Sequence, residues 1–206
     1  MIITKITEQA KNPDRVNIYI DDQFYAGISK LVAIQLGLKA GLPLNPEMAN
    51  QLEQLESTKN VWDYSLRSLA RAPKTERQLR RRLADKFGEE PAQATLQKLK
   101  NDGLIDDRKL AESLVGRHLR QEDKSRLEIL AELKVKGIPE SFIPEALALL
   151  DDEYELRTAT RLAAIKGRSQ KADVNKIGQY LARKGFGYAV IKMAVKELGR
   201  DLEEIG

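Results

Sequence analysis

Four arginines, Arg77, Arg80, Arg81 and Arg82, fall within six consecutive positions of this chain. Planar guanidinium forks take phosphate or carboxylate oxygens two at a time, so the chemistry they suggest is anion recognition. Leu79 and Leu83, spaced i, i+4, mark the inner face of the helix that must carry them. Arg77 and Arg81 then lie one turn apart on the outer face, with Arg80 and Arg82 flanking. Glu76 and Asp85 offset part of the repulsion, so the cluster reads equally as a contact surface and as a solvated face. A second basic group, Arg117, Arg120, Lys124 and Arg126, spans one helix end and the next helix start. The helix dipole alone accounts for cations at such an end. A third group is Arg157, Arg161, Lys166, Arg168 and Lys171, and a fourth is Arg183 with Lys184. Lys184 is placed like Lys86 and Lys136, near a helix-stopping glycine, where compensation of the dipole is the simpler reading.

Catalytic constellations are absent. Asp106 and Asp107 are adjacent carboxylates with no third ligand nearby, and N-capping of a helix explains them better than a metal. His118 is the single histidine, on the edge of an apolar stripe, and reads as an interhelical core residue. Zinc would require three or four ligands, so no metal is expected. There is no cysteine, which excludes disulfides and thiolate sites and suits a reducing cytosol. No glycine-rich phosphate loop or nucleophile elbow occurs, so neither a cofactor nor a small-molecule substrate is implied. Trp62, Tyr64, Tyr154, Tyr180 and Tyr188 are the aromatic residues on which bases could stack. Trp62 and Tyr180 sit where the helical pattern calls for core.

The elements that must position these residues recur. Leu79 and Leu83 lead to Lys86-Phe87-Gly88, Ile129 and Leu133 to Lys136-Gly137, and Ile177 and Leu181 to Lys184-Gly185. Leu83, Leu133 and Leu181 stand 50 and 48 residues apart. That period signals stacked units, each too small to bury its own apolar face. Each unit reads as three helices. The first has Val61, Trp62, Leu66 and Leu69 on one helix, then a capping box of Thr75 with Gln78, then a helix opened by Pro91. The second starts at Asp106-Asp107 and has its own box, Ser125 with Glu128. The third carries Tyr154, Leu162 and Ile165 on its opening helix. Counted from the glycine, Phe142, Ile143, Ala146, Leu147 and Leu150 share offsets with Val190, Ile191, Ala194, Val195 and Leu198.

The front of the chain differs. Val16 to Ile20 alternates apolar and polar residues as a half-buried strand does, between Asn12-Pro13-Asp14 and Asp21-Asp22 as turns. Strands around Ile2–Ile6 and Phe24–Ala26 complete a small meander. Ser29 caps a short helix stopped by Gly37, and Asn45-Pro46 opens another that fades near Ser57. The expected domains are therefore a module over 1–57 and helical repeats over 58–104, 105–151 and 152–206.

Charge follows the same division. Residues 1–58 hold 5 Lys+Arg and 7 Asp+Glu, whereas the remainder holds 30 and 24. The positive excess on the repeats points to a polyanion or an acidic protein as partner, or simply to a solubilising surface. No apolar run approaches the length of a membrane span, and Met1-Ile2-Ile3-Thr4-Lys5 lacks the plan of a signal peptide.

Four strings in order carry a resemblance: Arg15-Val16-Asn17-Ile18-Tyr19-Ile20-Asp21, Gly103-Leu104-Ile105-Asp106-Asp107, Glu132-Leu133-Lys134-Val135-Lys136-Gly137-Ile138 and Tyr180-Leu181-Ala182-Arg183-Lys184-Gly185-Phe186. At this spacing the chain resembles the RecX family of bacterial RecA regulators over nearly its whole length. It departs at Ala72-Pro73-Lys74-Thr75-Glu76, where the family often has an Arg-Ser-Glu entry, and at Leu110, where it often has phenylalanine. The resemblance implies a mainly α fold, with three tandem three-helix repeats in an elongated curved array behind a small N-terminal β-meander plus helices. It implies a cytoplasmic, non-enzymatic inhibitor of RecA that acts on filaments on single-stranded DNA, and thereby on DNA repair, strand exchange and the SOS response. The expected partner is the RecA filament, with DNA phosphates as a further contact, the protein itself a monomer. The rival is a helix-turn-helix-like protein acting directly on DNA, against which no helix carries the Asn/Gln/Arg cluster of a base reader. The residues expected at the partner surface are Arg77, Arg80, Arg81, Arg82, Arg117, Arg120, Lys124, Arg126, Arg157, Arg161, Arg168, Arg183 and Lys184.

Overall fold

Alternating apolar residues build the front of the chain into a three-stranded antiparallel sheet in the computed structural model, which describes residues 1–169 and 173–204. The strands are β1 (Ile3–Gln9), β2 (Asn12–Ile20) and β3 (Gln23–Ser29). Ile3 pairs with Ile20, Ile6 with Ile18, and Val16 with Ile28. This register puts Ile3, Val16, Ile18, Ile20 and Ile28 into one core. Asp21 and Asp22 both take positive φ, 50° and 61°, as the tight β2–β3 hairpin requires. Asn12-Pro13-Asp14, expected as a turn, instead begins β2. Pro13 and its neighbours sit at the start of the strand, where a missing donor is tolerated.

Helix α1 (Lys30–Gln35) follows Ser29, whose side chain makes no capping bond. Its backbone N–H donates instead to Glu56 Oε2 at 2.8 Å. Asn45 caps α2 (Pro46–Arg71) through Met48 N. This helix does not fade near Ser57. It runs 26 residues without a break. No proline or glycine interrupts it, and two sets of buried residues need it: Leu52 in the sheet core, then Val61, Ser65 and Ser68 further along. Glu56, midway, also ion-pairs with Arg15 of β2 at 2.9 Å.

Eight further α-helices follow among the described residues: α3 (Glu76–Phe87), α4 (Glu89–Asn101), α5 (Asp107–Gln121), α6 (Arg126–Lys136), α7 (Ile143–Leu147), α8 (Tyr154–Ser169), α9 (Val174–Arg183) and α10 (Tyr188–Glu204). The helix expected after Pro139 is short. A 3₁₀ turn over Glu140–Phe142 leads into it, because Pro144 at its second position removes a donor. The chain divides into two compact units. The first holds Met1–Ala72 with Arg80–Lys98, and the second holds Pro73–Leu79 with the residues from Leu99 onward. The first contains the sheet core, which also buries Val32, Ala33 and Leu44.

The second unit has two cores. Ala111, Leu114 and Val115 of α5 meet Ile129 and Leu133 of α6 and Ile143 and Ala146 of α7. Ala159, Leu162 and Ala163 of α8 meet Ile177 and Leu181 of α9 and Ala194 and Leu198 of α10. The matched offsets hold in burial: Ala146 and Leu150 are buried, as are Ala194 and Leu198. Ile165, expected inside, is 52% exposed, as the three-helix core closes one turn earlier at Leu162 and Ala163.

Candidate partner-binding surface

The start of the second helix in each of two helix triplets is built by one repeated joint. Thr75 and Gln78 form the expected box, each backbone N–H donating to the other's side chain at 3.2–3.3 Å. Ser125 and Glu128 do the same. Each hydroxyl then reaches across to the next triplet. Thr75 Oγ1 donates to the carbonyl of Lys136 at 2.8 Å, and Ser125 Oγ donates to the carbonyl of Lys184. The next amide is capped from outside its own helix, Glu76 N by Asp107 Oδ1 at 2.9 Å and Arg126 N by Glu155 Oε1 at 2.5 Å. The residue after that lies on a glycine: the Arg77 stem covers Gly137, and the Leu127 side chain covers Gly185. Both glycines have positive φ, 80° and 84°, and end their helices in the left-handed conformation.

This joint explains the paired aspartates. Asp106 caps its own helix through Lys109 N at 3.0 Å, as expected. Asp107 serves α3 instead, and burial, with the nearby Glu76 charge, raises its pKa against the pull of the Glu76 amide. Sequence reasoning did not find this link or its counterpart at Glu155. The signal available was that each acid follows its capped helix start at nearly the same distance, 31 residues from Glu76 to Asp107 and 29 from Arg126 to Glu155.

His118 is buried, as its position on the apolar stripe implied. Nδ1 lies 2.7 Å from Asp123 Oδ1 and Nε2 3.1 Å from Glu132 Oε2. Lys124 and Arg117 also close on Glu132. Burial disfavours the Glu132 carboxylate, yet the hydrogen bond and charge of Lys124, then of His118, outweigh it and hold its pKa at about 2. Tyr154, buried in the same region, donates to the carbonyls of Lys124 and His118, and burial pushes its phenol up to about 12. Among the described residues, no group of His, Asp and Glu is placed to hold a metal ion.

The basic residues divide by partner. Arg126 Nη2 donates to the carbonyls of Leu150 and Asp151, and Arg161 to those of Gln121 and Glu122. Arg157 binds Asp151 through both terminal nitrogens and Glu122 through Nε, which raises its pKa further. Lys184 pairs with Glu128 at 3.0 Å, and Arg80 with Glu89 at 2.7 Å. Lys86, in the last turn of α3, lies 4.4 Å over the Tyr64 ring. Arg81 approaches Asp85 only at 4.0 Å and is largely exposed. Arg77, Arg82, Arg120, Arg168 and Arg183 are exposed and make no ion pair among the described residues. Lys171 lies outside the described residues.

Two features went unread in the sequence. One is a groove of about 560 Å³ between α1, α2 and α4, with Leu31, Leu55, Trp62, Leu66 and Pro91 in its walls. Trp62 is only half-buried there, under Lys98 at 4.5 Å, and Leu66 is 37% exposed, so neither is the full core residue the helical pattern suggested. The other is the outer face of α6, where Leu127, Ala131 and Val135 stand at the positions of Arg77, Arg81 and Asp85 on α3. Their i, i+4, i+8 spacing opposite Ile129 and Leu133 was the signal.

Family models match three stretches: the regulatory protein RecX N-terminal domain over residues 1–45, and the first and second RecX three-helix domains over 62–99 and 106–147. The regulatory protein RecX of Clostridioides difficile (strain 630) is 33% identical over 202 residues, covering 96% of this chain and 95% of that one. The chain belongs to the RecX family. A RecX regulatory protein of Clostridium botulinum (strain Alaska E43 / Type E3) is 30% identical over 203 residues and 95% of each chain. A crystal structure of a regulatory protein RecX superposes with a TM-score of 0.69 at 29% identity, covering 95% of this chain and 98% of that one. RecX from Lactobacillus salivarius superposes with a TM-score of 0.62 at 26% identity over 70% of this chain. The front module and the first two helix triplets thus coincide with the RecX N-terminal domain and the first two RecX three-helix domains.

Proposed function

We propose that this RecX protein binds RecA filaments on single-stranded DNA and opposes their growth or persistence. Strand exchange, ATP hydrolysis and SOS signalling by RecA would fall with them. The observation that carries this reading is family membership over nearly the full chain, at 33% identity to a RecX regulatory protein. The unpaired outer-face guanidiniums Arg77, Arg82, Arg120 and Arg183, with Arg81, agree with an anionic partner surface. Because Arg126, Arg157, Arg161 and Lys184 are held by the chain's own carbonyls and carboxylates, they are proposed to shape the surface rather than to lead the contact. The protein acts by occlusion, in the cytoplasm, as a monomer and without catalysis of its own. DNA phosphates supply a further contact.

The test is RecA-driven ATP hydrolysis on single-stranded DNA, titrated with the purified protein. Hydrolysis should fall as the protein approaches the RecA concentration. An unchanged rate at excess sinks the proposal. Tight binding to naked DNA with no effect on RecA would favour the direct DNA-binding alternative.

A further inference from the structure

The second helices of the triplets present different chemistry on equivalent outer faces. On α9 the positions are Asn175, Gln179 and Arg183, and on α6 they are Leu127, Ala131 and Val135. Val135 is 86% exposed, the highest value for a large apolar side chain among the described residues, and Leu127 is 58% exposed. A soluble helix ordinarily turns polar residues outward. Here the outward stripe is apolar over two turns, about 12 Å from Leu127 to Val135 at the standard rise.

The repeated joint fixes what stands at each end of that stripe. The Arg77 stem rests on Gly137, two residues past Val135. Leu127 rests on Gly185, two residues past Arg183. The order along the surface is therefore Arg77, Val135, Ala131, Leu127, Arg183. Neither terminal arginine has an ion-pair partner among the described residues. The acids on the flanks of α6 are turned to internal partners: Glu128 to Lys184, and Glu132 to His118, Lys124 and Arg117. Lys134, beside the stripe, reaches Glu140 at 3.6 Å.

We infer that this strip docks a protein surface with an apolar centre between acidic ends. A nucleic-acid backbone would use the two arginines but would have nothing to place on Leu127, Ala131 and Val135. A protein partner uses both, burying the centre and pairing the ends, which is the arrangement of apolar core and charged rim found in specific interfaces. The inference rests on the proposed RecA reading for its partner and adds which face meets protein rather than DNA.

The test compares Val135→Lys and Val135→Ile with the unaltered protein for binding to RecA filaments on single-stranded DNA and to the same DNA alone. Val135 is too exposed for either change to disturb the core, and thermal unfolding should coincide for all three. Val135→Lys should weaken filament binding roughly tenfold, the loss typical of a central apolar contact, while Val135→Ile binds as before. Filament binding by Val135→Lys that is equal to or tighter than the original would overturn the docking inference, because a strip that reads only negative charge gains from a lysine. Failure of the unaltered protein to bind filaments at all would instead remove the RecA reading, and this inference with it.

Discussion

Glu132 is the residue on which most local electrostatics converge, with Lys124, Arg117 and both-sided His118 gathered around it. Its carboxyl titrates at about 2 in the fold and near the ordinary glutamate value of 4.5 when exposed. A depressed carboxyl stabilises the fold wherever it is charged in both states, so its contribution is complete above pH 4.5 and is lost as pH falls toward 2. Denaturant unfolding at pH 6 and pH 3 should show a loss for the native chain that is smaller in Glu132→Gln. At pH 6 that substitution should cost about 2 kcal/mol, since it leaves charged hydrogen-bond donors without their acceptor. A second residue-scale prediction concerns Gly137 and Gly103, with φ of 80° and 67°. At Gly103 an added Cβ meets nothing within 4 Å, whereas at Gly137 it would lie 2.7 Å from Arg77 Cδ. Gly103→Ala should therefore cost only the left-handed strain, about 1 kcal/mol. Gly137→Ala should cost more, and Arg77→Ala in the same chain should return it to the Gly103 value, as read by equilibrium unfolding.

The element that organises the second unit is the start of a second helix seated on the glycine end of the next one. Ser125 caps its own helix, bonds its glutamate partner and donates to Lys184, so one hydroxyl serves two triplets. Ser125→Ala should lose both the cap and the cross-link, a cost of about 2 kcal/mol in unfolding. Amide exchange should quicken in α6 and also in α9. Quickening confined to α6 would mean that the bond to Lys184 carries no stability. At this scale the arginines of α3 also separate: Arg77 is anchored on Gly137, while Arg81 and Arg82 have no such seat. Replacing Arg81 and Arg82 with alanine should weaken filament binding several-fold at low salt and leave stability within about 0.5 kcal/mol. If they touch DNA phosphates, the salt slope should drop by about 0.7 for each lost contact.

For the whole chain, the excess of 35 Lys+Arg over 31 Asp+Glu is small, and its placement matters more than its size. Many cations of the repeats are consumed internally, so total charge overstates the surface open to a partner. Association should fall with ionic strength, but only to the extent set by the few unpaired arginines. The unbroken α2 adds a constraint on dissection. Removing residues 1–57 would cut α2 near its middle and leave Thr58–Arg71 as a shortened helix without the half that is anchored in the sheet core through Leu52 and Glu56. Such a chain should show reduced helicity and a lower melting temperature by circular dichroism. Unchanged melting would mean that the sheet module folds apart from α2.

Periodicity alone determined the helix triplets, their glycine stops and both capping boxes, because these depend on neighbours three or four residues apart. It also located the sheet, through alternation in Val16–Ile20, and the buried place of His118. The continuity of α2 was not legible, since a helix that serves two cores has a broken apolar stripe where one gives way to the other. The roles of Asp107 and Glu155 were not legible either, because their partners lie about 30 residues away and local rules assign an acid at a helix start to its own helix. Which cations face solvent was decided by the tertiary structure alone. A guanidinium is spent or free according to the carbonyls and carboxylates that packing brings within reach, and sequence spacing does not record those for Arg126, Arg157 or Arg161.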